Sequence, residues 1–168
     1  MRIAGVFLCL SLAACAGRSA PGAAAVPPLS DSAFATLQVR GGSPHGMGVD
    51  QSTSEHRFDD LPDGGRIVLQ TTNADPAAVQ QIRMHLHHIA GAFAAGSFDM
   101  PMFVHDRKDV PGTRVMQERH ALITYELSDL PAGGEVRIRT ADPAALRAIH
   151  EFLAFQRSDH RSPGDSIR

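Results

Sequence analysis

A long internal repeat is the feature of this sequence that most restricts its fold. Residues 60–71 and 74–79 return, with the same turn residues in the same order, as residues 129–140 and 141–146. Both copies carry the pattern Asp-Leu-Pro-x-Gly-Gly and continue into Ala-Asp-Pro-Ala-Ala followed by an aliphatic residue. A match of this length is typical of a tandem duplication, so we expect one structural unit to occur twice.

Each copy predicts two strands followed by a helix. Apolar residues alternate with polar ones on both sides of the Pro-Gly-Gly turn, which is typical of a β-hairpin with one buried face. Asp75 and Asp142 are suited to the helix N-cap, with Pro76 and Pro143 at the first helical position. We therefore predict an α+β fold: a tandem β-β-α duplication forms a four-stranded, mostly antiparallel sheet with two helices on one face.

The start of the chain predicts export and lipid anchoring. A positive start and a short apolar run, too short to span a bilayer, are typical of a secretory signal, which we place at residues 1–14. The tetrad Leu-Ala-Ala-Cys that ends at Cys15 resembles the bacterial lipobox, in which the cysteine is lipidated. Several acyl chains would anchor the protein durably to a membrane. Ala16 stands where inner-membrane lipoproteins carry aspartate, which favours the periplasmic face of the outer membrane.

The rest of the chain divides by composition. Residues 15–48 are rich in Ala, Pro, Gly and Ser, and are predicted to form a tether. Residues 49–160 are predicted to form a single duplicated domain, with repeats over residues 54–95 and 121–157. Residues 161–168 are predicted to be a disordered tail.

Cysteine content and charge exclude several classes of function. The two cysteines are Cys9, in the predicted signal, and Cys15, so disulfides and thiolate chemistry are not expected in the folded domain. The formal net charge is −2 and no basic stripe is present, so we expect no nucleic-acid partner.

Histidine and methionine are the residues that suggest chemistry, because the chain has nine histidines. His85 and His88 lie three apart on the first predicted helix, so both could reach one ion. The segment between the repeats adds Met100, Met102 and His105. Thioethers with imidazoles favour copper, especially Cu(I), whereas imidazoles with carboxylates suit zinc or Cu²⁺. Alternatively, these methionines pack the segment onto the sheet and the histidines are solvated or hydrogen-bonded.

Three stretches resemble a family of small exported bacterial proteins of unknown function. They are residues 96–105, the Pro111-Gly112 pair, and the pattern Ala-Ile-His-x-Phe-Leu-x-x-Gln at residues 148–156 with a later histidine. Some members of that family carry the name carbamoyltransferase, but such an enzyme needs a Ser-Thr-Arg-Thr segment and a far longer chain. Transferred by position, the resemblance implies a site drawn from His85, His88, His105, His150 and His160.

Three functions remain as hypotheses from the sequence. The first is an anchored, non-catalytic envelope protein that binds a transition metal, with candidate ligands His85, His88, His105, His150, His160, Met100 and Met102. The second is a structural or interaction module of the envelope, as a homodimer or with another envelope protein. The third is a small hydrolase or transferase with His105 or His120 as base. No nucleophile elbow, metalloprotease motif or nucleotide-binding loop supports the third.

Overall fold

The protein is described from a computed structural model that covers residues 28–73 and 75–164. Its helices are α1 (Asp31–Gly42), α2 (Pro76–Ala94), α3 (Asp99–His105), α4 (Thr113–Glu118) and α5 (Pro143–His160). Its strands are β1 (Ser54–Leu61), β2 (Gly64–Thr71), β3 (Ile123–Leu130) and β4 (Gly133–Thr140), and a short 3-10 turn, His120–Leu122, precedes β3.

The predicted α+β architecture is confirmed. The four strands form one antiparallel sheet in the order β1-β2-β4-β3, and each Pro-Gly-Gly turn closes a hairpin. Asp75 and Asp142 cap α2 and α5 through their side chains, because each carboxylate accepts a backbone N–H of the first turn. The two β-β-α units share their order of elements, while their origin by duplication stays a prediction.

Both long helices cover the same face of the sheet, and each lies mainly over the hairpin of the other unit. α2 follows the first hairpin but lies mainly over β3 and β4, whereas α5 follows the second hairpin and lies mainly over β1. At the centre, Ile67 pairs with Val136 across the two halves, and both side chains are buried. Each unit therefore buries much of its apolar face against the other unit.

A buried ion pair fixes the C-terminal half of α5 on β1. The guanidinium of Arg157 donates to both carboxylate oxygens of Asp60 at 2.9 Å and also to the Phe58 carbonyl. Bidentate Arg–carboxylate contacts of this kind set orientation as well as distance. They bring the end of α5, at His160, beside His56 of β1.

The predicted tether boundary is wrong, since residues 31–49 belong to the folded domain. Ser30 caps α1 by accepting the Ala33 N–H, and Leu37, Met47 and Val49 are buried. The predicted tail is also partly wrong, because the Phe58 N–H donates to the Pro163 carbonyl. The signal sequence and Cys15 lie outside the described residues, as do residues 165–168 of the tail.

The segment between the units is helical, with a tight approach at Gly112. The predicted connecting segment contains α3 and α4, and Gly112 precedes α4 with a φ of +81°. A Cβ at Gly112 would lie 2.1 Å from the carbonyl oxygen of Ala148 on α5. Only glycine fits this position, because the neighbouring atoms are helix backbone and cannot move away.

Gly112→Ala is expected to lower the free energy of unfolding by about 2 to 3 kcal/mol, from left-handed strain and overlap with α5. The matched control is Gly91→Ala, at a helical position with nothing within 4 Å of the added Cβ. That change should raise stability by about 0.5 to 1 kcal/mol. Urea unfolding of both variants checks the pair, and equal effects would contradict this account of Gly112.

Candidate functional site

A cavity of about 70 Å³ lies between the sheet, α2, α3, α5 and the segment that follows α1. Most of its wall is apolar, with Phe58, Leu69 and Phe93 among the contributors. None of the lining residues is Asp, Glu, Lys or Arg. The lining side chains with nitrogen, amide oxygen or sulfur atoms are His56, His85, His105, His160, Gln51, Gln156, Met47 and Met100. We call this space the inner cavity.

His56 and His160 form one wall of the inner cavity. His56 is on the helix-covered face of β1, where its ring stacks on Phe58 at a centroid distance of 5.7 Å. His160 ends α5, and its ring centroid lies 4.8 Å from that of His56. Both side chains are half-buried. Two imidazoles from distant parts of the chain are therefore held side by side.

These two imidazoles are also reached from a second space. An outer cleft of about 310 Å³ shares Gln51, His56 and His160 with the inner cavity. Its remaining wall is mainly polar and comes from α1, β1 and the chain after α5. His56 and His160 therefore separate a polar cleft from an apolar cavity, and a ligand could reach them from either side.

His105 is held in a buried hydrogen-bonded unit with two residues of α5. Its Nδ1 lies 2.9 Å from the Asp159 carboxylate, and its Nε2 lies 3.0 Å from Oε1 of Gln156. His105 and Asp159 are 7% and 2% exposed, so water does not screen this contact. Both ring nitrogens of His105 are therefore engaged by side chains of α5, which fixes the orientation of the ring.

The other histidines of the cavity are held neutral. Burial, with the neighbouring His85 and His105, lowers the pKa of His56 to about 3. Burial and the adjacent His88 lower the pKa of His85 to about 4. The pKa of His160 is lowered well below its usual value by burial and then by His56 and His105. At neutral pH each of these three imidazoles is thus neutral, with one ring nitrogen that carries a free lone pair.

The structure brings together only part of the metal site predicted from the sequence. Of the candidate ligands, His85, His105, His160 and Met100 line the inner cavity. His88 is exposed on α2, and Met102 packs against the core. His150 is turned away, because its Nε2 faces the carbonyl oxygens of Leu61 and Gly64 at the first hairpin turn.

The sequence does not predict four of the lining residues that carry nitrogen, amide oxygen or sulfur: His56, Met47, Gln51 and Gln156. His56 had one visible signal, since it occupies the place of Tyr125 in the other repeat. Met47 fell within the predicted tether, so its burial at 4% exposure was not expected. Gln156 is the last residue of the family-like motif at residues 148–156, but nothing in that motif distinguishes it as a site residue.

The surroundings of the two candidate bases give a hydrolase little support. His105, one candidate base, has both ring nitrogens in hydrogen bonds with Asp159 and Gln156. His120, the other candidate, is exposed, and its Nδ1 donates to the Ala94 carbonyl. These partners of the two rings are a carboxylate, an amide and a backbone carbonyl.

Within residues 28–73 and 75–164, no three His, Cys, Asp or Glu side chains lie close enough to hold one metal ion. Methionine thioethers are a further class of donor, and Met47 and Met100 line the inner cavity. A site of the zinc type, with several imidazoles and a carboxylate already in place, is therefore not assembled among these residues.

In comparisons with protein-family models, curated proteins and solved structures, nothing matches this chain. The resemblance to a family of small exported proteins consequently stays a prediction from the sequence motifs.

Proposed function

We propose that this protein is a lipid-anchored envelope protein that binds Cu(I) in the inner cavity. The observation that carries the proposal is the lining itself: neutral imidazoles and two thioethers surround an apolar space that no carboxylate enters. Thioethers and imidazoles are ligands that Cu(I) accepts, whereas Mg²⁺, Ca²⁺ and Mn²⁺ need oxygen ligands. The ligand candidates are His56, His85, His160, Met47 and Met100.

Cu(I) does not need three ligands from His, Cys, Asp or Glu, and no such group of three lies close together among the described residues. A d¹⁰ ion of this kind is stable in linear or trigonal coordination, so two imidazoles with one thioether satisfy it. His56 and His160 already lie side by side, with ring centroids 4.8 Å apart. Zinc, which prefers four ligands including nitrogen, thiolate or carboxylate donors, fits this lining less well.

Anchoring at Cys15 completes the proposal and rests on the lipobox-like tetrad. No helix among the described residues is long and apolar enough to cross a membrane. Lipidation would keep the domain at the membrane surface through the chain that precedes α1. Metabolic labelling with a fatty acid, with and without Cys15→Ala, tests the anchor separately from the cavity.

We expect His56→Gln and His160→Gln each to weaken Cu(I) binding by about a hundredfold, because each removes an imidazole from the cavity wall. The matched control is His88→Gln, which changes an exposed histidine on α2 and should leave the affinity unchanged. Competition with a chromogenic Cu(I) chelator, under anaerobic reducing conditions, measures the affinities on the chain from Ala16 onward. Equal affinities in all three variants would overturn the assignment of the site.

An interaction module is the second candidate, and one observation favours it. β3 is a terminal strand of the sheet; Leu122 just before it and Leu127 within it are 54% and 43% exposed. Free strand edges with apolar neighbours are places where another chain can add. We expect Leu127→Lys to abolish concentration-dependent association in sedimentation experiments, if such association forms through this edge. Association that persists in the variant would exclude the edge as the interface.

A further inference from the structure

The two outer strands of the sheet differ in what covers their free edges. On β1 the Phe58 N–H donates to the Pro163 carbonyl, and the Phe58 carbonyl accepts from Arg157, so both outward groups are engaged. β3 pairs with β4 in the same register as β1 with β2, which makes Leu127 the equivalent of Phe58. The N–H and C=O of Leu127 therefore point outward as well, and no group of the described residues bonds them.

The chain after α2 gives β3 no such cover. α2 and α5 hold equivalent places in the two β-β-α units, but the chain after α2 turns at Gly96, with a φ of +79°, and continues into α3. α3 then packs against α1. Since Leu127 is also 43% exposed, β3 presents an open edge with an apolar side chain beside it. One added strand would satisfy the backbone groups and cover this side chain.

The fold already contains the kind of pairing that such a strand would make. β2 and β4 hold equivalent places in the two units, and they pair antiparallel with Ile67 opposite its equivalent, Val136. The helices of the two units nevertheless lie together on one face of the sheet. Two units of this kind can therefore join strand to strand with room for both helices.

Charge distinguishes the registers in which two copies of β3 could pair. The odd-numbered residues of β3 carry the outward groups, and an antiparallel pairing must set outward residues opposite outward residues. A twofold axis at Glu126 or at Leu127 fulfils this condition along most of the strand. The axis at Glu126 sets two carboxylates directly opposite each other, which is destabilising, whereas the axis at Leu127 sets Glu126 opposite Ser128.

We propose that two copies of this chain pair through β3, antiparallel about a twofold axis at Leu127, so that their four-stranded sheets become one. The two Leu127 side chains meet at the axis and are withdrawn from water. Because the chain after α5 covers the edge of β1, the assembly closes at the dimer and does not grow into a fibre. This inference rests on the interaction module, the second candidate function, and is independent of the metal.

Disulfide trapping in the chain from Ala16 onward, which has no cysteine, tests the pairing and its register. Residues 126 and 128 of opposite copies would form a non-hydrogen-bonded pair with Cα atoms about 4.5 Å apart, within reach of a disulfide. In either single variant the two like cysteines are diagonal neighbours about 7 to 8 Å apart, beyond that reach. A mixture of Glu126→Cys and Ser128→Cys should therefore give about fivefold more cross-linked dimer under diamide than either variant alone. Both positions are exposed, so neither substitution disturbs the core.

Sedimentation equilibrium supplies the matched control. Leu127→Lys sets two ammonium groups opposite each other at the axis and should weaken the dimer by about a hundredfold or more. Val39→Lys, at a 74% exposed position of α1, should leave the dimer unchanged. A wild-type chain that stays monomeric up to its solubility limit overturns the pairing, and assemblies larger than the dimer overturn its closure at β1.

The outcomes separate this pairing from the broader interaction function. Association that survives Leu127→Lys overturns both, because the interface then lies elsewhere. Association that is lost in Leu127→Lys, while one single-cysteine variant cross-links as well as the mixture, keeps the edge as the interface and overturns the twofold axis at Leu127. Preferential cross-linking of the mixture, together with loss of the dimer in Leu127→Lys alone, supports the proposal.

Discussion

Lowering the pH from 7 to 5 is expected to remove about 6 kcal/mol from the free energy of unfolding. His56, His85 and His160 have folded-state pKa values far below 6.5, at about 3 and about 4 for the first two. In the unfolded chain each would titrate near 6.5, so below that pH only the unfolded state binds the proton. Each histidine then contributes about 2 kcal/mol of lost stability across this interval.

The sign of this effect follows from the depressed pKa values. The contribution of each histidine is fully present above pH 6.5 and is lost as the pH falls toward its folded pKa. Because a domain is stable by only about 5 to 15 kcal/mol, acid unfolding is expected well above pH 4. Chemical denaturation at a series of pH values measures it on the metal-free protein.

The control for the acid effect compares substitutions of cavity histidines with the substitution of an exposed histidine. His56→Gln combined with His160→Gln should flatten the slope between pH 7 and 5 by about two-thirds, since two of three groups are removed. His87→Gln, at an exposed position of α2, should leave the slope unchanged. A wild-type stability that stays constant from pH 7 to 5 would show that these imidazoles are not held neutral by burial.

Asp159→Ala is expected to cost about 1 to 3 kcal/mol, because it leaves the buried Nδ1 of His105 without its hydrogen-bonding partner. Asp159 is 2% exposed, and its carboxylate lies 2.9 Å from Nδ1 of His105. Glu118→Ala removes one partner of an exposed ion pair with Arg114 and should cost less than about 0.5 kcal/mol. Urea unfolding at pH 7.5 compares the two.

A double substitution separates the loss of the pair from the loss of packing. His105→Leu with Asp159→Leu replaces both partners with apolar groups and should recover much of the stability that Asp159→Ala loses. A double variant as unstable as the sum of its single changes would mean that shape, rather than the unpaired polar group, dominates at this position.

The hairpins and long helices could be predicted because their signals are local. Pro and Gly set each turn, period-two alternation sets the strands, and Asp75 and Asp142 set the helix starts. The repeat made each signal visible twice. The crosswise packing of α2 and α5 could not be predicted in this way, because helix amphipathicity fixes the buried side but not which hairpin it covers.

The short helices escaped prediction for physical reasons. α3 has seven residues with Pro101 inside it, and α4 has six, so neither shows a full period of apolar residues. Both are stabilised mainly by packing against the rest of the domain, as buried Val104 and Met116 indicate. In α1 only Leu37 and Gly41 are buried, which left its Ala- and Gly-containing sequence looking like a tether.

The site was predicted in part, because residue types suggested it but tertiary contacts defined it. His105 was a candidate from its segment, yet its partners Gln156 and Asp159 lie 51 and 54 residues away in the chain. His150 and His160 belong to the same family-like motif. His150, however, lies on the side of α5 that faces the first hairpin turn, away from the cavity. Spacing alone cannot distinguish these cases.

X-ray absorption at the copper edge of the Cu(I)-loaded protein tests the central claim most directly. We predict imidazole scatterers together with at least one sulfur, and loss of the sulfur contribution in Met100→Leu or Met47→Leu. His56→Gln should reduce the imidazole contribution, while His88→Gln should leave the spectrum unchanged. A protein that cannot be loaded with Cu(I), or a spectrum with nitrogen and oxygen neighbours alone, would contradict a copper site in the inner cavity.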